Sequence, residues 1–292
     1  MPAPTVRPRR SALYMPGSNP RALEKARTIP ADVLILDLED AVAPDAKAEA
    51  RRLVADAVAA GGYGRRELIV RVNGLDTPWG HPDLMAVARM KVDAVLLPKV
   101  SSAELVRRAC DVLAGADAPA DLPVWCMMET ARGMLRAEEI ADAPRVAGFV
   151  MGTSDLAKEL HAAHTAQRLP MLTGLSLCLL AARAAQIAIL DGVHLDLADE
   201  AGFEAACRQG VELGFDGKTL IHPKQVEAAN AAFAPSAEAV AQARRWIEGY
   251  EAARAQGKGV AVVDGKLVEA LHVVEARRLV ALDEAIRALA EA

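Results

Sequence analysis

Residues 32 to 40, Asp32-Val33-Leu34-Ile35-Leu36-Asp37-Leu38-Glu39-Asp40, decide the fold. The apolar run in this stretch is typical of a strand buried on both faces, and it ends in the acidic side chains of Asp37, Glu39 and Asp40. Carboxylates this close repel each other unless a cation or a positive pocket holds them. The same arrangement, an apolar run closed by charged or polar residues, recurs along the chain, and it predicts a barrel with its chemistry at one end.

Eight short apolar segments, each followed by a helix-like stretch, can be marked. They cover residues 12–15, 33–38, 68–72, 94–97, 124–128, 148–151, 187–190 and 219–221. The intervening helices have recognisable starts at Pro44-Asp45, at the capping-box-like Ser101-Ser102-Ala103-Glu104 and at His222-Pro223. Eight βα units in succession predict an α/β fold, a closed TIM (β/α)8 barrel over residues 1–235.

The chain continues beyond the eighth unit as an extension over residues 236–292. A helix is expected over residues 236–256, followed by a glycine-flanked linker, an apolar stretch over residues 260–268 and a last amphipathic helix. Asp264-Gly265 between two apolar runs predicts a hairpin. The glycines before it are typical of a hinge, so the extension is interpreted either as a mobile lid over the barrel mouth or as a packing or oligomer contact.

The composition of the 292-residue chain limits its partners. A net charge of -5 without a long basic run argues against nucleic acid. We find no signal-peptide core and no apolar segment of the roughly 18 residues that a membrane span needs. The four cysteines have no C-x-x-C spacing, which argues against zinc. We therefore expect a soluble, cytoplasmic protein with free thiols and no membrane partner.

The residues that follow the apolar runs are the chemical candidates, because an α/β barrel builds its active site at the carboxyl ends of its strands. These positions hold Asp37, Glu39, Asp40, Arg71, Asn73, Lys99, Glu129, Asp155, Asp191, His194, Asp196 and His222. Glu129 and Asp155 follow successive strands, and oxygen ligands without a neighbouring His or Cys fit Mg²⁺. The alternative is that each carboxylate caps a helix or forms a salt bridge.

Arg71 lies inside a buried run, where an unpaired guanidinium would be costly, so it must meet an anion. A planar, bidentate guanidinium suits a substrate carboxylate or the oxygen of a developing enolate. A structural salt bridge with Glu39 or Asp40 is the alternative. The Pro16-Gly17 turn offers a weaker hypothesis, in which Gly17 presents backbone N–H groups to a phosphate, against the simpler role of a turn.

Several motifs together resemble one family. They are Arg10-Ser11 with Leu13-Tyr14-Met15-Pro16-Gly17-Ser18, Leu36-Asp37-Leu38-Glu39-Asp40-Ala41-Val42, Arg71-Val72-Asn73-Gly74, Pro98-Lys99, Glu129-Thr130, Gly152-Thr153-Ser154-Asp155-Leu156 and Ile221-His222-Pro223-Lys224-Gln225. In order from about residue 10 to residue 280, the chain is similar to the citrate lyase beta subunit and malyl-CoA lyase group of the HpcH/HpaI aldolases.

The resemblance implies a Mg²⁺-dependent TIM barrel, usually a homotrimer or hexamer, that cleaves or forms a carbon-carbon bond between an acyl-CoA and a 2-oxo acid. By match, Glu129 and Asp155 would bind the metal, and Arg71 would contact the oxo acid and the thioester enolate. Glu39 and Asp40 would hold the waters of the metal. The residues placed along the CoA or substrate path are Tyr14, Lys25, Ser154, Ile221 and His222, together with Glu129.

The chain departs from the malyl-CoA lyase pattern in three places. Where those enzymes carry a proton-transferring Asp in the C-terminal lid of a neighbouring subunit, this chain has Gly265-Lys266-Leu267-Val268-Glu269, which makes Glu269 the candidate base. Asn19 replaces an Arg seen in some members, so a CoA phosphate contact would be lost or moved to Arg21. The segment over residues 156–173 is shorter, which favours the citrate lyase beta-like or citramalyl-CoA branch.

The leading hypothesis is a stand-alone lyase for a 3-hydroxyacyl-CoA of the malyl-, methylmalyl- or citramalyl-CoA type. The alternatives are the beta subunit of a citrate lyase, acting on citryl held by an acyl carrier protein, and a thioesterase in which the same site ends in hydrolysis. Two further readings are a non-catalytic assembly subunit and an oxo-acid-binding barrel that uses no thioester.

Overall fold

The computed structural model describes residues 6–291. Eight parallel strands form a closed barrel in chain order, with the first strand hydrogen-bonded to the eighth, which confirms the predicted TIM-barrel fold. The strands are β1 (Ser11–Pro16), β2 (Val33–Asp37), β3 (Glu67–Arg71), β4 (Ala94–Leu97), β5 (Val124–Met128), β6 (Val146–Met151), β7 (Ala188–Asp191) and β8 (Gly217–Leu220).

Helices follow the strands around the barrel. They are α1 (Pro20–Ala26), α2 (Lys47–Ala60), α3 (Gly80–Val87), α4 (Ala103–Gly115), α5 (Ala131–Leu135), α6 (Ala137–Ala141), α7 (Thr153–Glu159), α8 (Leu172–Ala184), α9 (Glu200–Leu213) and α10 (Val226–Phe233). The helix start predicted at Ser101-Ser102-Ala103-Glu104 is the start of α4, where Ser102 is the N-cap and accepts a hydrogen bond from the Leu105 N–H at 3.3 Å. Single 3₁₀ turns at Pro44–Ala46, Leu169–Met171 and Pro223–Gln225 lead into α2, α8 and α10.

The strand side chains divide between two cores because they alternate along each strand. Val33 and Ile35 of β2 belong to the cluster inside the barrel, whereas Leu34 and Leu36 belong to the core between the sheet and the helices. Two positions beyond Ile35, Asp37 continues the inward-facing row at the carboxyl end of β2. The alternation therefore delivers a carboxylate to the barrel mouth.

Six of the eight strands differ from the predicted runs by one or two residues at one end or at both. The seventh run was expected over residues 187–190 and the eighth over residues 219–221, but β7 extends to Asp191 and β8 begins at Gly217. Lys218 of β8 is 1% exposed, and its Nζ donates to Asp191 Oδ2 at 2.8 Å. A lysine is rarely buried unless it is paired, so the sequence pattern alone does not place this residue in a strand.

The chain divides into two compact units, one over residues 9–233 and the other formed by residues 6–8 and 234–291. The second unit contains the predicted helix, hairpin and helix, namely α11 (Ala237–Ala255), β9 (Ala261–Val263), β10 (Lys266–Val268) and α12 (Ala270–Ala290). One face of the hairpin is buried through Ala261 and Val268, which pack with Val273 of α12. The lid role of this extension stays a prediction.

Across residues 6–291, every helix is either too short or too polar to cross a bilayer.

Candidate active site at the carboxyl ends of the strands

A cavity of about 340 Å³ lies at the carboxyl ends of the barrel strands. It is lined by eight of the predicted site residues, namely Tyr14, Asp37, Asp40, Arg71, Glu129, Ser154, Asp155 and Ile221. A second cavity, of about 390 Å³, lies between α9 and α10 and is lined largely by acidic side chains such as Glu200, Glu204 and Glu227. Among the predicted site residues, all of which lie within residues 6–291, Asp196 alone lines this second cavity, so the strand-end cavity is the candidate site.

Arg71, the last residue of β3, is 7% exposed and is the main buried cation of the cavity. Its Nε and Nη2 atoms donate to the two carboxylate oxygens of Asp37, each at 2.6 Å. Its Nη1 atom lies 3.0 Å from Glu39 Oε2 and 3.6 Å from Asp40 Oδ2. Although burial alone lowers the pKa of a guanidinium, the charge of Asp37 holds the pKa of Arg71 well above its ordinary value. Arg71 is therefore a permanent cation.

The guanidinium of Arg71 forms its bidentate pair with Asp37, which differs from the expectation that this bidentate face would bind a substrate. The predicted salt bridges with Glu39 and Asp40 are present as the lesser contacts. Asp37 and Arg71 are directly paired residues at the ends of β2 and β3, and each continues the inward-facing row of its strand. The bidentate pair thus leaves Nη1 as the guanidinium nitrogen that is not bonded to Asp37, and this nitrogen faces Glu39 and Asp40.

The aromatic ring of Tyr14 packs against Arg71 on the inner face of the barrel. The Arg71 guanidinium carbon lies 4.7 Å from the centroid of this ring, a cation–π distance. The Tyr14 hydroxyl donates to Met127 Sδ at 3.6 Å. Burial raises the pKa of Tyr14, so the phenol stays protonated. The ring therefore lines the cavity, and its hydroxyl does not act as a base.

Glu39 and Lys99 form a second ion pair beside Arg71. Lys99 Nζ donates to Glu39 Oε1 at 2.7 Å and lies 3.9 Å from Asp155 Oδ2. Burial raises the pKa of Glu39 despite the opposing charges of Arg71 and Lys99. Burial alone would lower the pKa of Lys99, but the hydrogen bond to Glu39 holds this pKa above its ordinary value. The Lys99 side chain is therefore also a permanent cation.

Glu129 follows β5 and is 3% exposed. Its Oε1 atom accepts the backbone N–H of Lys99 at 2.7 Å. An added Cβ on Gly152 would overlap Glu129 Cβ and Oε2, so the absence of a side chain at residue 152 leaves the space that the carboxylate occupies. Burial raises the pKa of Glu129 to about 7, and the charges of Glu39 and Asp155 add to this effect. Burial therefore makes this carboxylate costly to ionise on its own.

Ser154 and Asp155 reach the cavity from the first turn of α7. The Asp155 side chain is 35% exposed, and its charge contributes to the raised pKa of Glu129. No group of three or more His, Cys, Asp or Glu within residues 6–291 is arranged to hold a metal ion by itself. Two carboxylates suffice for Mg²⁺, which keeps several waters and takes further oxygens from the substrate. The donor set and its uncompensated negative charge fit such a cation.

A buried network supports the acidic segment that carries Glu39. Lys47 Nζ donates to the carbonyl oxygens of Leu38 and Glu39, at 2.9 and 2.7 Å. The Asn73 side chain also donates to the Leu38 carbonyl, at 2.8 Å, and to Asp83 Oδ2, at 2.6 Å. Sequence reasoning gave no role to Lys47 or Asp83; the available signal was a lysine at the start of the helix that follows the acidic strand end.

The remaining predicted residues lie away from the cavity lining. Lys25 is exposed in the last turn of α1, and the exposed His222 accepts the Lys224 N–H through Nδ1 at 3.2 Å. Glu269 is an exposed residue directly before α12 in the second unit. The substrate and catalytic roles of these three residues stay predictions.

The phosphate-binding hypothesis for Gly17 is not supported by its contacts. Its N–H donates to the Asp37 carbonyl at 2.8 Å, and an added Cβ would lie 2.6 Å from that same oxygen. The following helix is capped by Asn19 Oδ1, which accepts the N–H groups of Arg21 and Ala22 at 3.1 and 3.2 Å. Gly17 thus packs the first turn against β2.

Comparison with known proteins identifies the family. A family model described as HpcH/HpaI aldolase/citrate lyase matches residues 10–223, most of the chain. The chain belongs to this family. The resemblance inferred from the motifs is therefore confirmed, and the protein is an enzyme of the HpcH/HpaI aldolase/citrate lyase family.

Three relatives cover nearly the whole chain. A (3S)-malyl-CoA thioesterase of Cereibacter sphaeroides is 56% identical over 281 residues, which are 96% of each chain. An L-malyl-CoA/beta-methylmalyl-CoA lyase of the same organism is 36% identical over 314 residues, with 98% of each chain covered. A crystal structure of CitE from Mycobacterium tuberculosis in complex with magnesium, acetoacetate and coenzyme A has a TM-score of 0.76 and 33% identity, covering 94% of this chain and 97% of that chain.

Proposed function

We propose that the protein is a magnesium-dependent thioesterase that hydrolyses a malyl-CoA-type thioester to the free hydroxy acid and CoA. The observation that carries this proposal is the 56% identity to a (3S)-malyl-CoA thioesterase over 96% of both chains. The lyase activity, which leads among the hypotheses from sequence, becomes the second candidate. It is favoured by the full-length likeness, at 36% identity, to an L-malyl-CoA/beta-methylmalyl-CoA lyase.

Glu129 and Asp155 are the residues that would hold the magnesium ion, with Glu39 and Asp40 beside them as acceptors for its waters. Support for this assignment comes from the position of the buried Glu129 carboxylate beside Asp155 in one cavity, where burial first and the charges of Glu39 and Asp155 second raise its pKa to about 7. When bound, Mg²⁺ acts as a Lewis acid that polarises substrate oxygens. The CitE relative was crystallised with magnesium, acetoacetate and coenzyme A, which agrees with this arrangement.

Arg71 is proposed to stabilise the negative charge that develops on the thioester oxygen. Asp37 holds its Nε and Nη2 atoms, so the guanidinium is fixed and Nη1 donates from a set position. A buried, preorganised donor is worth more than the same donor in solution, because it does not have to reorient during the reaction. In hydrolysis, a water oxygen bonds to the carbonyl carbon, the carbon-sulfur bond breaks, and the thiolate takes up a proton.

Glu269 is proposed as the base, contributed by a neighbouring copy of the chain in a homo-oligomer. Its carboxylate is exposed, and its N–H donates to His272 Nδ1 at 3.0 Å, which fixes the backbone at the start of α12. The permanently charged Lys99 and the protonated Tyr14 do not serve as bases near neutral pH. Glu269→Gln should therefore slow turnover strongly without changing Mg²⁺ affinity; unchanged turnover would remove Glu269 from the mechanism.

The deciding experiment incubates the purified chain with Mg²⁺ and malyl-CoA and follows free thiol and glyoxylate in separate assays. The thioesterase releases CoA thiol without glyoxylate. The lyase releases glyoxylate and acetyl-CoA without free thiol. Citramalyl-CoA and citryl-CoA are run beside malyl-CoA, and inactivity on all three would favour a citrate lyase beta subunit that needs citryl on a carrier protein. Glu129→Gln serves as the metal-site control and should abolish either activity.

A further inference from the structure

Lys99 binds two carboxylates through two different groups, and its backbone conformation makes this geometry attainable. Its φ is 50°, in the left-handed region that favours glycine. In this conformation the backbone N–H donates to Glu129 Oε1 at 2.7 Å while Nζ donates to Glu39 Oε1 at 2.7 Å. The same ammonium lies 3.9 Å from Asp155 Oδ2. A single residue that follows β4, Lys99, thus contacts side chains that follow β2, β5 and β6.

We propose that Lys99 is a positioning residue that fixes the spacing of the carboxylates around the proposed metal site, so that the site selects Mg²⁺ over larger cations. The inference rests on the proposed metal site of Glu129 and Asp155. A non-glycine residue keeps a left-handed conformation only where its surroundings over-determine it, and such strain is concentrated at functional sites. Here the surroundings are the two carboxylates themselves.

The positioning role has a consequence that a simple charge effect lacks. Removing a cation beside the site changes the affinities for Mg²⁺ and Ca²⁺ by the same factor, because both ions carry the same charge. Removing a residue that holds the carboxylates at a fixed spacing lets them move apart. Ca²⁺ binds such a widened site more readily, since it takes longer and more variable oxygen distances than Mg²⁺. The ratio of the two dissociation constants therefore separates positioning from charge.

The test measures Mg²⁺ and Ca²⁺ binding by calorimetric titration of the full chain with MgCl₂ or CaCl₂, using Lys99→Met, Lys99→Gly and Lys99→Arg. In the first two variants we expect the Mg²⁺ dissociation constant to rise about tenfold, as is typical when a group that orients a metal ligand is lost. The Ca²⁺ dissociation constant should change by less than about threefold. Lys99→Arg, which keeps the cation, should recover most of the discrimination.

Two control variants match the changes outside the site. Lys91→Met removes an exposed lysine charge. Asp117→Gly relieves a left-handed residue, with a φ of 60°, at the exposed end of α4. Both should leave the ratio of the two dissociation constants unchanged. Thermal melts of all variants establish that the folded chain is being titrated, and Lys99→Gly is the safer fold because glycine adopts this backbone without strain.

The outcomes separate the positioning role from the proposed function. A wild-type chain that binds Mg²⁺, with an unchanged Mg²⁺ to Ca²⁺ ratio in Lys99→Met and Lys99→Gly, overturns the positioning role and leaves the proposed metal site standing. Tighter binding of both ions by one common factor also overturns it, because that result is the effect of charge alone. A wild-type chain that binds neither ion overturns the metal site and the role of Lys99 together.

Discussion

Replacing Gly152 by Ala should disrupt the candidate metal site through one methyl group. The φ of Gly152 is -99°, which any residue adopts, so the backbone itself does not require glycine. The added Cβ would lie 3.0 Å from the carboxyl carbon of Glu129 and would overlap its Cβ and Oε2. Carbon atoms pack best at about 3.5–4.0 Å, so the clash cannot be relieved by a small adjustment.

The magnitude follows from which atoms collide. Because the Glu129 Cβ is attached directly to the backbone, rotating the carboxylate does not remove the overlap, and the ends of β5 and β6 must separate. Overpacking of this kind costs typically about 1–3 kcal/mol of unfolding free energy. Displacing a carboxylate from its position should also weaken Mg²⁺ binding by about 10- to 100-fold, the range seen when ligand support is lost.

The assay combines urea unfolding with Mg²⁺ titration of Gly152→Ala. Gly115→Ala is the matched control, because an added Cβ at Gly115, the last residue of α4, has no atom within 4 Å. The control should be neutral or stabilising by about 0.5–1 kcal/mol, since alanine is favoured over glycine in a helix. If Gly152→Ala keeps the stability and Mg²⁺ affinity of the control, the contact does not hold Glu129 and the reasoning is refuted.

Three further predictions concern buried charge and a helix cap. Asp37→Asn removes the closest charge partner of the buried Arg71 guanidinium, leaving the weaker contacts with Glu39 and Asp40, and should cost about 3–5 kcal/mol in urea unfolding and at least about tenfold in kcat. Burial alone would raise the pKa of Asp191, but Lys218 holds this pKa below its usual range. The ion pair therefore stabilises the folded state fully above the unfolded-state pKa of about 3.9, and this stabilisation is lost as the pH falls toward the lower pKa of the folded state. The unfolding free-energy difference between wild type and Asp191→Asn should therefore be constant from pH 7 to about pH 5 and shrink below about pH 4; a constant difference at lower pH would contradict the pairing. Ser102→Ala should cost about 1 kcal/mol through loss of the α4 cap, and an unchanged urea midpoint would contradict that role.

The barrel could be predicted because its information is local. Each buried strand gives an apolar run and each helix start gives a capping residue, so the period of eight units is visible in one sequence. The predicted strand ends are wrong by one or two residues in six of the eight strands, and at β8 the predicted run begins at residue 219 and so leaves out Lys218. Its place in a strand depends on Asp191, 27 positions away, and a pairing at that distance leaves no mark on local hydropathy.

The site was predicted as a set of residues but not as a set of pairs. Strand-end reasoning brings Arg71, Glu129 and Asp155 to one cavity, as the structure has them. It does not give the partner of Arg71, because choosing Asp37 over Glu39 or Asp40 requires the register between β2 and β3. The alternation of side chains was a usable signal, since Asp37 is the acidic residue in phase with the inward-facing Val33 and Ile35.

The acidic side chains within residues 37–40 can lie close together without strong repulsion because each has a different environment. Asp37 is neutralised by Arg71, Glu39 is shared between Arg71 and Lys99, and Asp40, with its side chain 61% exposed, is left largely to solvent. The candidate cavity is thus divided into a carboxylate side suited to a cation and a guanidinium suited to an oxygen that becomes negative.

Thioester hydrolysis and carbon-carbon cleavage both place negative charge on the same thioester oxygen, so the roles proposed for Arg71 and the carboxylates suit either reaction. The outcome then depends on whether water reaches the carbonyl carbon and on which group moves the proton. That division explains how full-length relatives named as a thioesterase and as a lyase share one fold and family. The residues that determine which reaction occurs are therefore expected among the groups that control the access of water and the group that acts as the base, and not among Arg71 and the carboxylates.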